Sequence, residues 1–543
     1  MQETVVYLSN FNPKRDGLSN DFQAFSKCFE SVKEGQRVVI EPGKYLIDGE
    51  SPIKLTTKTE VFAEGAEFYF PKDLGNKPHR VMFKGENISN FHWRGGRFYG
   101  YVYNPLALIQ NWGPNACTKG IEIRRTPEGE SKNIRIEQVN SLDLAGGVVN
   151  VLGTFFESTG ERYPVVHVDV TDCSFENSGK FMWDYGYLWQ RIVFPEYHEK
   201  QETESAYEYM PNTLISGQVS FKNASIYVEN MPEEIEKEGN TVCFFGDVPA
   251  PFRKGYCYYI VNEEKHGKNS VIEVSERING EPIRVISTPK GLCRLFRNLF
   301  TVHHSMYWPK GGGSGKGPVD LSVCDSVKLT DCRMGASGDS MHVYNCYNAI
   351  VANNHITGSR MGAFFIAQFC KDVTVTGNTI LGSNGSRVLS VEKSTENITI
   401  VGNTFTGGGR GVWINQPYNF IMSENVFVNN TRKCTPDPKI GRLTPNSGSY
   451  EYYPEIYFTT WQKDASYGPV IMSSNIIETS PYCSAAIAFN DGGKEIILKG
   501  NVFRGGSRDI YVGKNCENPY MLDNMGVGKI IDEIPSERFD QKE

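Results

Sequence analysis

The chain lacks the features that mark several large protein classes. Its 543 residues contain no apolar run of about 18, the length that a membrane-spanning helix needs, so no membrane span is expected. The formal net charge is -7, and without a basic excess we expect no nucleic-acid partner. The start, MQETVVYLSN, lacks the apolar segment of a signal peptide. A mature chain whose signal has been removed looks the same, so a secreted or periplasmic protein is expected.

The 13 cysteines form no CxxC pair and no zinc-binding spacing. Several lie in or beside apolar strand runs, including Cys173, Cys332, Cys346 and Cys370. Because a free cysteine packs as a small apolar residue, this placement predicts buried thiols in a core. No metal ion or cofactor is expected from the sequence.

What the sequence does contain is a repeat of about two dozen residues, beginning near residue 323. Each unit joins an alternating strand, a polar turn residue, a short apolar strand and a glycine-rich bend, as in VTVTGNTI and ITIVGNTF. Successive marker residues are 23, 24, 25, 22, 50 and 26 residues apart, and the step of 50 is interpreted as two coils with extra loop. The markers are Asp331, Asn354, Asn378, Asn403, Asn425, Asn475 and Asn501.

One such unit cannot bury its own apolar face, whereas stacked units bury a continuous core. The sequence therefore predicts an all-β chain folded as a right-handed parallel β-helix, with the marker asparagines hydrogen-bonded along the stack. A β-propeller or a β-sandwich is the alternative, but these folds need longer periods or hairpin turns.

Two regions depart from the repeat. Residues 22–32 read as an amphipathic helix that caps the open end of the stack. Residues 184–317 break the period and include hairpin-like strands, which predicts an inserted small β-subdomain. Its final segment KGGGSGKG lacks the spacing of a phosphate-binding P-loop and is read as a linker. The chain is thus divided into cap and first coils (1–183), insertion (184–317) and later coils with the site (318–543).

The opening RDGLSND followed by GQRVVIEPGKYLI resembles the start of the pectin-lyase-like superfamily, which includes the family 28 polygalacturonases. The stretch VDLSVCDSVKLTDCRMGASGDSMHVYN resembles the catalytic coils of those enzymes and of the family 110 α-galactosidases. The resemblance implies a parallel β-helix and a glycoside hydrolase, with acids at Asp320 and Asp339. The sequence departs from the pattern at Ser340, where the families have a second acid, and at Arg360, which stands near the place of their GHG motif.

Glycoside hydrolysis needs one acid that protonates the leaving oxygen and one carboxylate for water or for the anomeric carbon. Asp339 is the first candidate for one of these roles, with Asp320 or Glu392 as its partner, because these acids lie about one or two coils apart. The enzymes that the sequence resembles invert configuration, and we expect the same here. The insertion is expected to lie beside the substrate-binding groove and to block it, which indicates exo action.

Further side chains are expected to bind the substrate, because guanidinium and amide groups bind sugar hydroxyls and aromatic rings stack on sugar faces. A solvated outer face of the β-helix is the alternative for most of them. His342 reads as an acid-base group or as a strand residue, and the segment WDYGYLW as a sugar platform or as the core of the insertion. The candidates are His342, Arg360, Gln368, Arg410, Trp413, Asn415, Asp184 and Trp189. A row of polar residues, one from each coil, is expected to open strands of the next wall: Asn345, Gln368, Glu392 and Asn415.

Two other functions compete with hydrolysis of a polysaccharide or oligosaccharide. A polysaccharide lyase would act on an acidic glycan with a lysine or arginine base, and its product absorbs in the ultraviolet. A non-catalytic carbohydrate-binding β-helix would bind glycans without cleaving any bond.

Overall fold

The computed structural model describes most of the chain and leaves several gaps. The described residues are 5–71, 80–100, 118–142, 144, 147–179, 219–229, 241–252, 257–275, 280–287, 291, 293–298, 317–336, 340–359, 362–382, 387–409, 411–431, 454–462, 464–481, 483–490, 492–513 and 515–534.

Three long sheets, here named A, B and C, make up the body of the protein. Sheet A contains Val5–Tyr7, Arg37–Val39, Glu60–Phe62, Ser89–Arg94, Lys132–Glu137, Val165–Thr171, Cys324–Thr330, Tyr347–Ala352, Lys371–Thr376, Glu396–Val401, Tyr418–Ser423, Val470–Ser473, Ile496–Lys499 and Tyr520–Leu522. Sheet B contains Asp16–Asn20, Gly43–Leu46, Ala66–Tyr69, Arg97–Tyr99, Asn140–Leu142, Ser174–Ser178, Arg333–Ala336, His355–Gly358, Thr379–Leu381, Thr404–Thr406, Val426–Val428, Ile476–Thr479 and Val502–Gly505. Sheet C contains Ile53–Lys54, Arg80–Glu86, Thr118–Arg124, Val149–Leu152, Val319–Ser322, Met341–Tyr344, Phe364–Ala367, Leu389–Glu392, Val412–Asn415, Ile456–Thr459, Ile487–Phe489, Ile510–Gly513 and Ile530–Ile534.

Between the two end coils, each coil contributes one strand to each of the three sheets, and neighbouring strands within these sheets are parallel. Alternate residues of a strand point to opposite faces, so one set fills the core between the sheets. In Val319–Ser322, for example, Val319 and Leu321 belong to the core whereas Asp320 does not. The parallel β-helix predicted from the repeats, and implied by the resemblance to the pectin-lyase-like superfamily, is confirmed.

A ladder of buried asparagines runs along the stack, as the repeat predicted. Each side-chain amide donates to the side-chain oxygen of the next asparagine at 2.9–3.0 Å, from Asn354 to Asn524. The amide of Asn403, for example, also donates to the carbonyl oxygens of Val375 and Val401. A buried polar group that is fully bonded in this way is structural.

Two details of the predicted repeat are wrong. Cys332, and not Asp331, occupies the ladder position, because its backbone N–H donates to the Asn354 side chain. The step of 50 residues is one coil and not two, since Asn425 donates directly to Asn475 and Phe420 pairs with Val470. The additional residues lengthen a single coil, and spacing alone does not distinguish a long loop from an extra turn.

The helix Phe22–Ser31 covers the amino-terminal end of the core, as predicted. Its Phe25 ring packs against Tyr45 and Phe68 on neighbouring strands of sheet B and against Phe83 of sheet C. A short 3-10 helix, Leu8–Phe11, precedes it and contacts it. Among the described residues, no helix is long and apolar enough to cross a membrane.

Within the described residues, two antiparallel elements interrupt the coils. The hairpin Thr154–Phe156 and Glu161–Tyr163 leaves the end of a sheet C strand. Between the strands Ser174–Ser178 and Arg333–Ala336, an antiparallel sheet with its own apolar core has the order Val219–Lys222, Ser225–Val228, Asn269–Ser275, Cys257–His266, Thr241–Gly246 and Cys293–Asn298. Leu381 of sheet B packs against that core.

The predicted burial of free thiols is confirmed for the described part of the chain. Cys173, Cys332, Cys346 and Cys370 are buried and form no disulfide. Burial raises the pKa of Cys173 and of Cys370 above the ordinary thiol value. The sulfurs of Cys173 and Cys370 therefore stay protonated, and all four side chains pack in the core.

Candidate functional site

One row of side chains on the outer face of sheet C is polar at its centre. Parallel register places one residue of each coil in this row, which we call the central row. All of its members are buried although they face away from the main core. In order along the stack they are Glu122, Asn150, Asp320, His342, Phe365, Ser390, Trp413 and Tyr457.

Asp320 and His342 form a hydrogen-bonded pair at the middle of the row. The imidazole Nδ1 lies 3.0 Å from Asp320 Oδ1, and the pair is almost fully buried. An ionised carboxylate only accepts hydrogen bonds, so Nδ1 is the donor when Asp320 is ionised. This leaves Nε2 of the ring as the acceptor for a water or a substrate hydroxyl. The ring of Phe365, 6.0 Å away, covers the imidazole on the next coil.

A second buried carboxylate, Glu122, stands at the beginning of the central row. Its Oε2 lies 2.7 Å from the ammonium of Lys119, and its Oε1 lies 3.4 Å from Arg124 Nε. Burial raises the pKa of Glu122, but the two cations more than offset this, and the net pKa is below the ordinary value. Glu122 is therefore ionised. Asn150 separates it from Asp320, so the two acids are two strands apart, about 10 Å.

Three described side chains on the outer side of sheet C strands have a buried oxygen without a hydrogen-bond partner. They are the carbonyl of Asn150, the hydroxyl of Ser390 and the carbonyl of Asn415. The amide nitrogen of Asn150, by contrast, donates to the carbonyls of Ile121 and Gly147. An unbonded buried oxygen costs about 1–3 kcal/mol, and such groups in native proteins call for an explanation. A role as hydrogen-bond acceptors for the hydroxyl groups of a ligand would explain these unbonded oxygens.

Aromatic side chains follow the polar centre of the row. The guanidinium carbon of Arg387 lies 4.1 Å from the centre of the Trp413 ring, and both residues are buried. Tyr457 continues the row on the next coil, and its hydroxyl accepts a hydrogen bond from Asn490. A cation over an indole is worth about 0.5–2 kcal/mol and holds the ring in place.

The structure corrects the row predicted for Gln368, Glu392 and Asn415. These residues do not open strands: Glu392 and Asn415 end sheet C strands, and Gln368 follows the end of one. Counting residues from each marker misplaced this row by one or two positions relative to the strands, because the bends differ in length. Gln368 accepts a hydrogen bond from the hydroxyl of Tyr344. Glu392 lies three coils from Asp320, about 14 Å, which is too far for these two acids to act on one bond.

Other expected site residues have different outcomes. Asp320, His342, Trp413 and Asn415 lie on the outer side of sheet C, and the first three share the central row. Five candidates lie outside the described residues: Asp339, Arg360, Arg410, Asp184 and Trp189. Within the described ranges, no three His, Cys, Asp or Glu side chains form a group that could hold a metal ion.

Sequence reasoning missed Glu122 and Asn150. The signal was present in the segments GIEIR and VVNVL, where one polar residue interrupts an apolar run. Joining these segments to the strand of Asp320 requires knowing that Val149–Leu152 pairs with Val319–Ser322, across the whole insertion.

Comparison with known proteins gives a partial family match. Residues 283–451 match the model of the family described as periplasmic copper-binding protein (NosD). No curated protein matches the sequence.

Several solved structures resemble the chain along nearly its whole length. The A-module of mannuronan C-5 epimerase AlgE6 of Azotobacter vinelandii is 11% identical, with a TM-score of 0.44 and coverage of 97% of this chain and 99% of the other. The surface adhesin PfbA of Streptococcus pneumoniae is 12% identical, with a TM-score of 0.47 and coverage of 98% and 100%. An exopolygalacturonase of Thermotoga maritima is 10% identical, with a TM-score of 0.42 and coverage of 96% and 92%. Likenesses at this level say nothing about activity.

Proposed function

We propose that the protein is a secreted or periplasmic glycoside hydrolase whose active site lies on the outer face of sheet C. The observation that carries the proposal is the buried Asp320–His342 pair, which faces away from the main core next to the unbonded oxygen of Asn150. A purely structural pair would be expected to have all neighbouring polar atoms bonded.

In the proposed reaction Asp320 acts as the base and Asp339 as the acid. The Asp320 carboxylate takes a proton from a water, whose oxygen attacks the anomeric carbon from one side. Asp339, two residues before the strand Met341–Tyr344, gives its proton to the glycosidic oxygen as the bond from that oxygen to carbon breaks. The product sugar has inverted configuration, and solvent restores both protonation states. The hydrogen bond from His342 orients Asp320 throughout.

The rest of the site would bind the sugar. The oxygens of Asn150, Ser390 and Asn415 accept hydrogen bonds from hydroxyl groups, and Trp413 offers an aromatic face. Arg360 and Arg410, together with Gln368, would hold the substrate on neighbouring coils. Because the central row is enclosed, it suits the end of a glycan better than its middle, which supports exo action.

The test is a panel of neutral and acidic oligosaccharides with product analysis by mass spectrometry and proton NMR. Hydrolysis adds one water to the products, and NMR of the first-formed anomer distinguishes inversion from retention. An unsaturated product that absorbs in the ultraviolet would instead show a lyase. Binding of a glycan that is never cleaved would show a carbohydrate-binding β-helix without catalysis.

A further inference from the structure

A second cluster with unmet hydrogen-bonding capacity lies on the edge where the chain turns from sheet C to sheet A. It follows the strands Leu389–Glu392, Val412–Asn415 and Ile456–Thr459. We call it the Trp461 platform, and its residues are Lys393, Ser394, Gln416, Tyr418, Trp461 and Gln462.

The indole of Trp461 is held in place at the protein surface. Its N–H donates to Ser394 Oγ at 3.1 Å, although the residue is 39% exposed. The ammonium of Lys393 lies 5.8 Å from the centre of the ring. Fixing a large aromatic side chain in advance lowers the entropy that a ligand must lose on binding.

Gln416 connects the platform to the turn beneath it. Its amide nitrogen donates to Ser394 Oγ at 3.1 Å and to the Tyr418 hydroxyl at 2.9 Å. A third and longer contact, 3.4 Å, joins it to the exposed side chain of Gln462. Gln416 is therefore fixed by the same hydroxyl that holds Trp461.

The oxygen of this amide has no partner. Gln416 is 2% exposed, and its Oε1 accepts no hydrogen bond. A ligand that bonds to this oxygen must donate a hydrogen bond, which an ionised carboxylate or a phosphate dianion does not do.

We propose that the Trp461 platform binds a neutral pyranose of a polysaccharide chain. The apolar face of the sugar stacks on Trp461, one hydroxyl donates to Gln416 Oε1, and the Lys393 ammonium donates to another sugar oxygen. The platform follows the strands that carry Ser390 and Trp413 and lies three to five coils from Asp320, about 14–24 Å, so it is separate from the Asp320–His342 pair. It anchors the enzyme on a polymer and does not depend on cleavage.

The experiment uses affinity electrophoresis of the full chain through gels that contain galactan, arabinan, mannan, xylan or polygalacturonate. The Asp320→Asn background prevents consumption of the polymer. In that background, Trp461→Ala is expected to raise Kd for a retarding neutral polymer about tenfold, the loss of one sugar-stacking ring. Gln416→Met, which removes the acceptor but keeps the volume, is expected to raise Kd severalfold. Tyr227→Ala removes a ring of similar exposure (42%) from the insertion and serves as the matched control.

Three outcomes overturn the proposal. One is that none of the neutral polymers retards the protein. Another is that retardation survives Trp461→Ala, or falls equally with Tyr227→Ala. The third is retardation by polygalacturonate alone, which would show an anion bound through Lys393. These results can be interpreted even if the protein hydrolyses no glycan, because binding is measured separately from turnover.

Discussion

Asp320 and His342 are 22 residues apart in the sequence and directly opposite each other on neighbouring strands, with 3.0 Å between Oδ1 and Nδ1. The register of the core sets this relationship. Val319 pairs with Met341 and Leu321 with Val343, all four inside the core. A slip of either strand by one residue would move its polar side chain inward. The packing of the two strands in the core therefore fixes the geometry of the pair.

The asparagine ladder should be essential for stability and irrelevant to chemistry. In Asn403→Leu, Asn378 loses its acceptor and Asn425 loses the amide that donates to its oxygen. Leaving such buried groups unbonded should lower the free energy of unfolding by about 1–3 kcal/mol, measured by urea denaturation. The control Gln462→Leu replaces an exposed amide and should change stability little. Loss of turnover at unchanged stability in Asn403→Leu would contradict a structural role.

Glu455 should make the protein less stable as the pH rises. It is fully buried, and burial raises its pKa from 4.5 to about 8, against the hydrogen bonds from Asn430. Below 4.5 the carboxyl is protonated whether the chain is folded or unfolded, and its contribution to stability is complete. Between 4.5 and about 8 only the unfolded state releases the proton, so stability falls by roughly 3–5 kcal/mol across this range.

The measurement is the melting temperature of the wild type and of Glu455→Gln between pH 5 and 8. The wild type should lose stability relative to the variant as the pH rises, because glutamine does not titrate. Parallel melting curves for the two proteins across this range would show that Glu455 ionises normally.

Arg162 should fix the hairpin that leaves sheet C. Its guanidinium donates to Asp325 at 2.9 Å and to the side chain and carbonyl of Asn345 at 2.8 Å, and it lies 3.5 Å from the centre of the Tyr347 ring. A lysine supplies neither the planar stack nor the fork of donors. In Arg162→Lys, amide hydrogen exchange in residues 154–163 should accelerate by about tenfold or more. The exposed control Arg135→Lys should leave exchange in the hairpin unchanged, and equal protection in both variants would contradict this role.

Trp413 should contribute to substrate binding more than to the chemical step. A stacking ring contacts the sugar both before and in the transition state, so Trp413→Leu should raise KM about tenfold with little change in kcat. Trp461→Ala, on the platform at the edge of the sheet, should leave KM for a short oligosaccharide unaltered. If kcat falls while KM stays constant in Trp413→Leu, the ring does not act as a binding surface.

The sequence predicted the architecture because each repeat unit corresponds to one coil of the stack. Asn378, Asn403 and Asn425 mark one position per coil, and each must bond to the next. Alternation in the segment SMHVY also sets His342 on the face opposite to Met341 and Val343, and in the structure those two residues lie in the core whereas His342 does not. The coil lengths were harder, since a loop inserted in one coil adds residues without adding a strand, as between Asn425 and Asn475.

The composition of the central row could not be predicted in full. Glu122 and Asn150 precede the insertion and Asp320 follows it, so nothing in local spacing aligns them. The contact between Arg387 and Trp413 was missed for a related reason. The two residues are 26 apart and belong to a bend and a strand, whose relative positions depend on bend length.

The proposed role of Asp320 is tested most directly by the turnover of Asp320→Asn on the glycan that the wild type cleaves. Asparagine keeps the size of the side chain and can still accept a hydrogen bond from His342, so the variant should remain folded, as checked by its melting temperature. Asp372→Asn makes the same chemical change on the exposed face of sheet A, where Asp372 accepts a hydrogen bond from Asn397, and it should retain wild-type activity. Removal of a general base should lower kcat of Asp320→Asn by at least about 10²-fold. A folded Asp320→Asn variant that retains more than roughly a tenth of wild-type turnover would contradict the proposed active site.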